Sequence, residues 1–210
     1  MMRCLYWPVG SPKRRANQNF YGSAMSPRRP SRRPSARRAK SRIILVLGGA
    51  ASGKSEAALR LAGPRGPHAF VATGQGLDDE MILRIDRHRA TRSPVWETVE
   101  EPIEVEAWIA KHGSRYRTIL LDCVTLWLSN LIGIGLSEAT VLTRVTSLLR
   151  AMRATAARIV IVSNELGLGL VSMEPTTRAF RDLAGRVNQN IAAEAEEVLF
   201  VVSGMPLRLK

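Results

Sequence analysis

The 210-residue chain has few of the groups that staple or metallate small domains: two cysteines, Cys4 and Cys123, and three histidines. Two thiols cannot build a disulfide framework, and neither stands at metal-ligand spacing from a partner. Such cysteine usage fits a reducing cytoplasm. Long apolar runs are also missing, since no segment approaches the roughly 20 residues that span a membrane. Aromatic residues are only 5% of the chain, and none stands among the arginine pairs between Arg28 and Arg38 to stack a nucleic-acid base.

Acidic residues are absent from residues 1–42, which hold 12 Lys and Arg. The formal charge of +13 therefore belongs to this extension, because the remainder carries 19 basic against 18 acidic side chains. Rich in Arg, Pro and Ser and poor in core-forming groups, the extension is expected to be disordered. It reads as dispensable, or as the product of an upstream start with Met25 as a later one; a nucleic-acid partner is not expected. Arg37 and Arg38 precede an apolar stretch as in a twin-arginine export signal. That stretch runs straight into "SGKS", however, and so reads as a core strand.

From residue 43 to 210 the pattern is that of one α/β domain. Apolar β-rich runs, "RIILVL", "HAFVA", "VWETV", "TILLDC", "RIVIVSNE" and "VLFVVSG", alternate with amphipathic stretches. The latter predict helices from Lys54, from about Leu77, from about Pro102, near Leu126–Leu131, over about Ser137–Ala157 and over about Pro175–Ala195. Strands that are apolar throughout and separated by helices predict a mostly parallel sheet with helices on both faces.

Within that pattern, Gly48, Gly49, Ala50, Ala51, Ser52, Gly53, Lys54 and Ser55 satisfy G-x-x-x-x-G-K-[ST] between a strand and a helix, the context a P-loop requires. Its backbone N–H groups converge on phosphate oxygens, Lys54 reaches the β/γ-phosphates and Ser55 can ligate Mg²⁺. The expected fold is accordingly the P-loop NTPase (RecA-like) α/β fold. Asp122 ends the strand "TILLDC", either as the carboxylate beside the metal or as a cap for the next helix. His68 and His112 read as structural. His88 lies among Arg87, Arg89 and Arg92, whose charges favour a neutral, nucleophilic imidazole and attract polyphosphate; the other reading is a solvated basic helix end.

Seven separated strings, "GGAASGKS", "ATGQGLDDEM", "RIDRHR", "WETVEEP", "LLDCVTLWLSNL", "VSNELGLG" and "RAFRDLAGRVNQ", resemble the bifunctional adenosylcobinamide kinase/adenosylcobinamide-phosphate guanylyltransferase family of cobalamin biosynthesis. The resemblance runs from about Ile43 to Lys210, in the family's order. It implies phosphorylation of adenosylcobinamide by ATP or GTP, followed by transfer of GMP from GTP to adenosylcobinamide phosphate. It further implies a covalent GMP-histidine at His88, Mg²⁺ at Ser55 and Asp122, and a homotrimer. Ala72, Thr73 and Gly74, then Arg89, Ala90, Thr91 and Arg92, and finally Glu100 and Asp122 are expected to contact GTP. Glu100 suits guanine, because a carboxylate accepts from its N1–H and N2–H₂ edge.

Three positions depart from the family pattern: Ala51 replaces an Arg, Gly74 a small polar residue, and Ser172 with "MEPTT" a proline-led segment. Glu165, at a strand end, faces either the corrinoid or the metal, or serves a helix start or the loop that follows. Two rival readings are a P-loop kinase of another small molecule, which has no use for a nucleophilic histidine, and a nucleic-acid-binding NTPase guided by the basic extension.

Overall fold

The computed structural model describes residues 41–76 and 93–210 of the chain. The expected disordered extension, up to Lys40, and the expected helix from Leu77, with His88 and its arginines, lie outside the described residues. Ser41 and Arg42 belong to the folded part, two residues before the expected boundary. Ser41 is buried, and its carbonyl accepts from the Arg153 guanidinium at 3.0 Å.

Strand β1, Ile43–Gly48, is buried at every position, as an all-apolar run between two layers must be. It sits near the middle of one seven-stranded sheet. The other strands are β2 (His68–Ala72), β3 (Trp96–Glu100), β4 (Thr118–Asp122), β5 (Arg158–Asn164), β6 (Glu197–Val202) and β7 (Met205–Arg208). Their spatial order is β3-β2-β4-β5-β1-β6-β7. Every pairing is parallel except β6 with β7.

The helices are α1 (Lys54–Arg60), α2 (Val105–His112), α3 (Val124–Gly133), α4 (Glu138–Ala154) and α5 (Pro175–Glu194). Alternation along β1 divides the core. Ile43, Leu45 and Leu47 pack with α2 to α5, while Ile44 and Val46 pack with Ala57 and Ala58 of α1. Helices thus cover both faces. The α4 stripe Val141, Val145, Leu148 and Met152 has the spacing of one helical face. Ser137 caps α4 by accepting from the Thr140 N–H.

Two helix boundaries and one strand differ from the sequence expectation. Helix α2 begins at Val105 rather than near Pro102, because the Glu101 carboxylate accepts from the N–H groups of Ile103 and Glu104 and makes a turn there. Helix α4 stops at Ala154, three residues early. Strand β7 was not expected, since its residues are all exposed and include Pro206. It forms because Ser203 and Gly204 both take positive φ, 50° and 79°, the geometry of a tight hairpin turn. His68 and His112 are structural as expected: His68 is fully buried against Trp96, and His112 packs on Trp108. No described helix is long and apolar enough to cross a membrane.

Candidate active site

The P-loop leaves β1 at Gly48 and enters α1 at Lys54. Its two flanking glycines are required for different reasons. A Cβ at Gly48 would lie 2.4 Å from Ser52 Oγ and 2.7 Å from the Val201 carbonyl oxygen, whereas Gly53 has φ of 90°, open to glycine at little cost. Ala51 also takes positive φ, 53°, so the loop curls back on itself. Lys54 is buried to 7% exposure and its Nζ donates to the Gly49 carbonyl at 2.9 Å, so the ammonium lies across the loop mouth. The loop is also held from outside. Glu165 N–H donates to Gly48 O at 3.1 Å, and Gly204 N–H to Ser52 O at 2.8 Å.

The remaining candidates collect along the carboxyl edge of the sheet. Register pairs Ala72 with Glu100 on one side and with Asp122 on the other. Asp122 is half-buried at the end of β4, and β5 alone separates that strand from β1. Two strand spacings place the Asp122 backbone about 10 Å across the sheet from β1. Cys123, not Asp122, occupies the N-cap of α3, without a side-chain capping bond. The Asp122–Cys123 peptide is cis. Burial and the neighbouring Asp122 carboxylate push the Cys123 thiol up to about 11, while the Lys54 ammonium opposes them. The thiol is therefore protonated at neutral pH and is no nucleophile.

Thr73 ties this edge together. It is fully buried, its Oγ1 donates to the Cys123 carbonyl at 2.7 Å and accepts from the Cys123 N–H at 2.9 Å. Asn130 Nδ2 donates to the Thr73 carbonyl at 2.8 Å and to the Pro102 carbonyl at 3.1 Å. Two further supports were missed from sequence. Asn188 Nδ2 donates to the Asn164 carbonyl at 3.0 Å, and Gly204 backs the P-loop. An asparagine among the apolar positions of α5 was the one available signal for the first. Glu165 Oε1 accepts from Gly167 N–H at 2.7 Å, which favours the loop role among the readings of that residue. Arg89, Ala90, Thr91 and Arg92 lie, with His88, outside the described residues.

Ser55, in the first turn of α1, and Asp122, at the end of β4, carry hard oxygen donors. Mg²⁺ needs only one or two such protein donors beside phosphates and water. No group of three His, Cys, Asp or Glu gathers among the described residues to hold a metal without substrate. The donor set fits a metal that arrives with a nucleotide.

Residues 44–209 match the family described as cobinamide kinase / cobinamide phosphate guanyltransferase. The bifunctional adenosylcobalamin biosynthesis protein CobU of Escherichia coli is 39% identical over 180 residues, 80% of this chain and 99% of that protein. The bifunctional adenosylcobalamin biosynthesis protein CobP of Pseudomonas aeruginosa is 42% identical over 167 residues, covering 79% and 96%. Among solved structures, flagellar accessory protein FlaH from Methanocaldococcus jannaschii superposes with a TM-score of 0.49 at 15% identity, covering 82% of this chain and 79% of that one.

Thr73→Val keeps the side-chain volume but leaves the buried Cys123 N–H without its acceptor. Denaturant unfolding is expected to show a loss of about 1–3 kcal/mol, with weaker binding of Mg²⁺-nucleotide. Unchanged stability would remove Thr73 from the support of this edge.

Proposed function

The chain belongs to the cobinamide kinase / cobinamide phosphate guanyltransferase family and carries both activities, and from that premise we propose that both reactions run at the carboxyl edge of the sheet around a single P-loop. The observation that carries this reading is the shared carboxyl edge of the sheet: Asp122 ends β4, two strands from β1, whose last residue opens the P-loop that leads to the buried Lys54. It supports a phosphate site with a cation on one side and a metal-side carboxylate on the other.

In the kinase step the backbone of residues 48–55 and Lys54 hold the β- and γ-phosphates of ATP or GTP. The hydroxyl oxygen of the aminopropanol arm of adenosylcobinamide attacks the γ-phosphorus. A new P–O bond forms, the bond to the bridging β,γ-oxygen breaks, the hydroxyl proton is lost and a nucleoside diphosphate leaves. Ser55 and Asp122 would hold Mg²⁺ together with the phosphates, and the ion would supply positive charge opposite the leaving oxygen.

In the guanylyl step a neutral nitrogen of His88 attacks the α-phosphorus of GTP. The P–N bond forms as the α,β P–O bond breaks and pyrophosphate leaves, its charge offset by Lys54 and by Arg89 and Arg92. A phosphate oxygen of adenosylcobinamide phosphate then attacks the same phosphorus. The P–N bond breaks, His88 is regenerated and adenosyl-GDP-cobinamide is released.

Ala72, Gly74 and Glu100 form the nucleoside end of the site; Thr73, expected to contact GTP, is instead fully buried beneath it with its hydroxyl bonded to Cys123. Strand spacing puts the Glu100 backbone about 19 Å across the sheet from β1, a span that suits a triphosphate laid along the edge with its guanine on the carboxylate. Beyond Glu165, the exposed Leu168, Leu170, Val171 and Met173 offer an apolar surface to the corrinoid. Exposed Val202, Met205, Leu207 and Leu209 at the antiparallel edge support association of copies into a homotrimer. The reactions are assigned to the cytoplasm.

The test is retention of label on denatured protein after incubation with Mg²⁺ and GTP labelled at either the α- or the γ-phosphate. An α-label that is acid-labile, alkali-stable and absent from His88→Ala is the expected result. No α-label on a protein that binds GTP would leave the His88 intermediate without support. Glu100→Gln is expected to narrow the preference for GTP over ATP in guanylyl transfer by about tenfold or more, because one charged acceptor is lost. Unchanged discrimination would take guanine away from Glu100.

A further inference from the structure

The opposite, amino-terminal edge of the sheet carries a second concentration of charge that the transfer reactions do not use. A cavity of about 490 Å³ opens there, lined by Arg42, Arg65, Arg117 and Arg158 together with Thr118 and the small-residue turn Ala62–Gly63–Pro64. The arginines come from four places in the chain. Arg42 precedes β1, Arg65 lies in the connection after α1, Arg117 precedes β4, and Arg158 opens β5. The sheet itself therefore gathers them.

Two of the four are fixed and two are not. Arg42 pairs with Glu197 at 2.5 Å, and Arg158 donates to the Leu61 carbonyl at 2.6 Å. The guanidinium groups of Arg65 and Arg117 have no hydrogen-bond or ion-pair partner among the described residues. Among the described residues, no carboxylate and no aromatic ring lines the cavity. Glu197 compensates Arg42, whereas Arg65, Arg117 and Arg158 have no carboxylate partner among the described residues, and like charges lining one cavity repel unless an anion lies between them. Guanidinium forks match phosphate oxygens in pairs, and no ring among the described lining residues offers a base a stacking face.

We propose that this basin is a second anion site, built for a compact oligophosphate of several linked phosphate groups rather than for a nucleotide. Its volume exceeds what one phosphate fills, and the two guanidiniums without a partner among the described residues, Arg65 and Arg117, enter it from separate connections. The site is separate from the P-loop. Strand β5 runs from Arg158 to Asn164, which at about 3.3 Å per residue puts roughly 20 Å between the two edges. Both sites can be filled together. The strands that start at the basin, β1, β4 and β5, end at the P-loop, Asp122 and the Glu165 turn, so the two ligands load opposite ends of the same rigid elements.

The test is calorimetric titration of inorganic tripolyphosphate into the full chain already saturated with Mg²⁺ and a non-hydrolysable GTP analogue. One further binding event is expected, weakening steeply with added salt. The Arg65→Ala/Arg117→Ala double variant should bind tripolyphosphate at least about tenfold more weakly, given two lost charge-assisted contacts, while its affinity for the GTP analogue stays that of the parent. No binding to the nucleotide-saturated protein would overturn the site. So would equal affinity in parent and double variant, which would assign the anion to the arginine-rich extension. Neither outcome depends on the His88 intermediate.

Discussion

Everything the chain does chemically depends on the parallel register of β3, β2, β4, β5 and β1. Parallel hydrogen bonding fixes which end of each strand faces which layer, so the carboxyl ends of five strands come to one edge. Glu100, Ala72 and Asp122 share a row there. Gly48 and Asn164 are themselves partners two residues further out, because β1 and β5 extend past the Asp122–Val162 pair. The P-loop therefore stands about 7 Å proud of the Asp122 row. That offset leaves room for a polyphosphate between the loop and the carboxylate.

The loop is held less by its own bonds than by its neighbours. Glu165 and Gly204 donate to it from two different strand ends. A side chain on Gly48 would strike the Val201 carbonyl and the Ser52 hydroxyl. With Ala51 and Gly53 both at positive φ, the conformation is one that an isolated peptide would not keep. Cooperation between local glycine chemistry and long-range strand pairing thus preorganises the phosphate site, and preorganisation is what lets N–H groups and Lys54 act on developing charge without moving. Thr73 does the equivalent for Asp122, locking the backbone beside it in the same row.

Much of this was legible in the chain. "HAFVA" and "TILLDC" read as strands because apolar runs ending in polar or small residues have little alternative between helices, and G-x-x-x-x-G-K-S set the loop, the helix start and the lysine. What was not legible was tertiary. The Thr73 hydroxyl reaches Cys123, 50 residues away, and no local pattern announces such a bond. Strand β7 has a proline and no buried face, so its only cause is the hairpin turn at Ser203 and Gly204. The start of α2 moved because the Glu101 carboxylate captures two N–H groups, a competition that hydrophobic periodicity does not register. The basic basin escaped for the same reason as Thr73: its arginines are scattered in sequence and meet only when the strands align.

The proposed use of one P-loop for two transfers makes a sharp demand on Lys54, whose ammonium would have to cradle the β,γ-phosphates in phosphorylation and the departing pyrophosphate in guanylylation. The direct measurement is the rate of each reaction for Lys54→Ala, with adenosylcobinamide phosphate supplied preformed for the second so that it does not depend on the first. A shared phosphate site predicts that both rates fall, each by about 100-fold or more, in a protein that retains its fold. Loss of phosphorylation with guanylyl transfer left intact would contradict it, and would require a second nucleotide site for the GMP transfer.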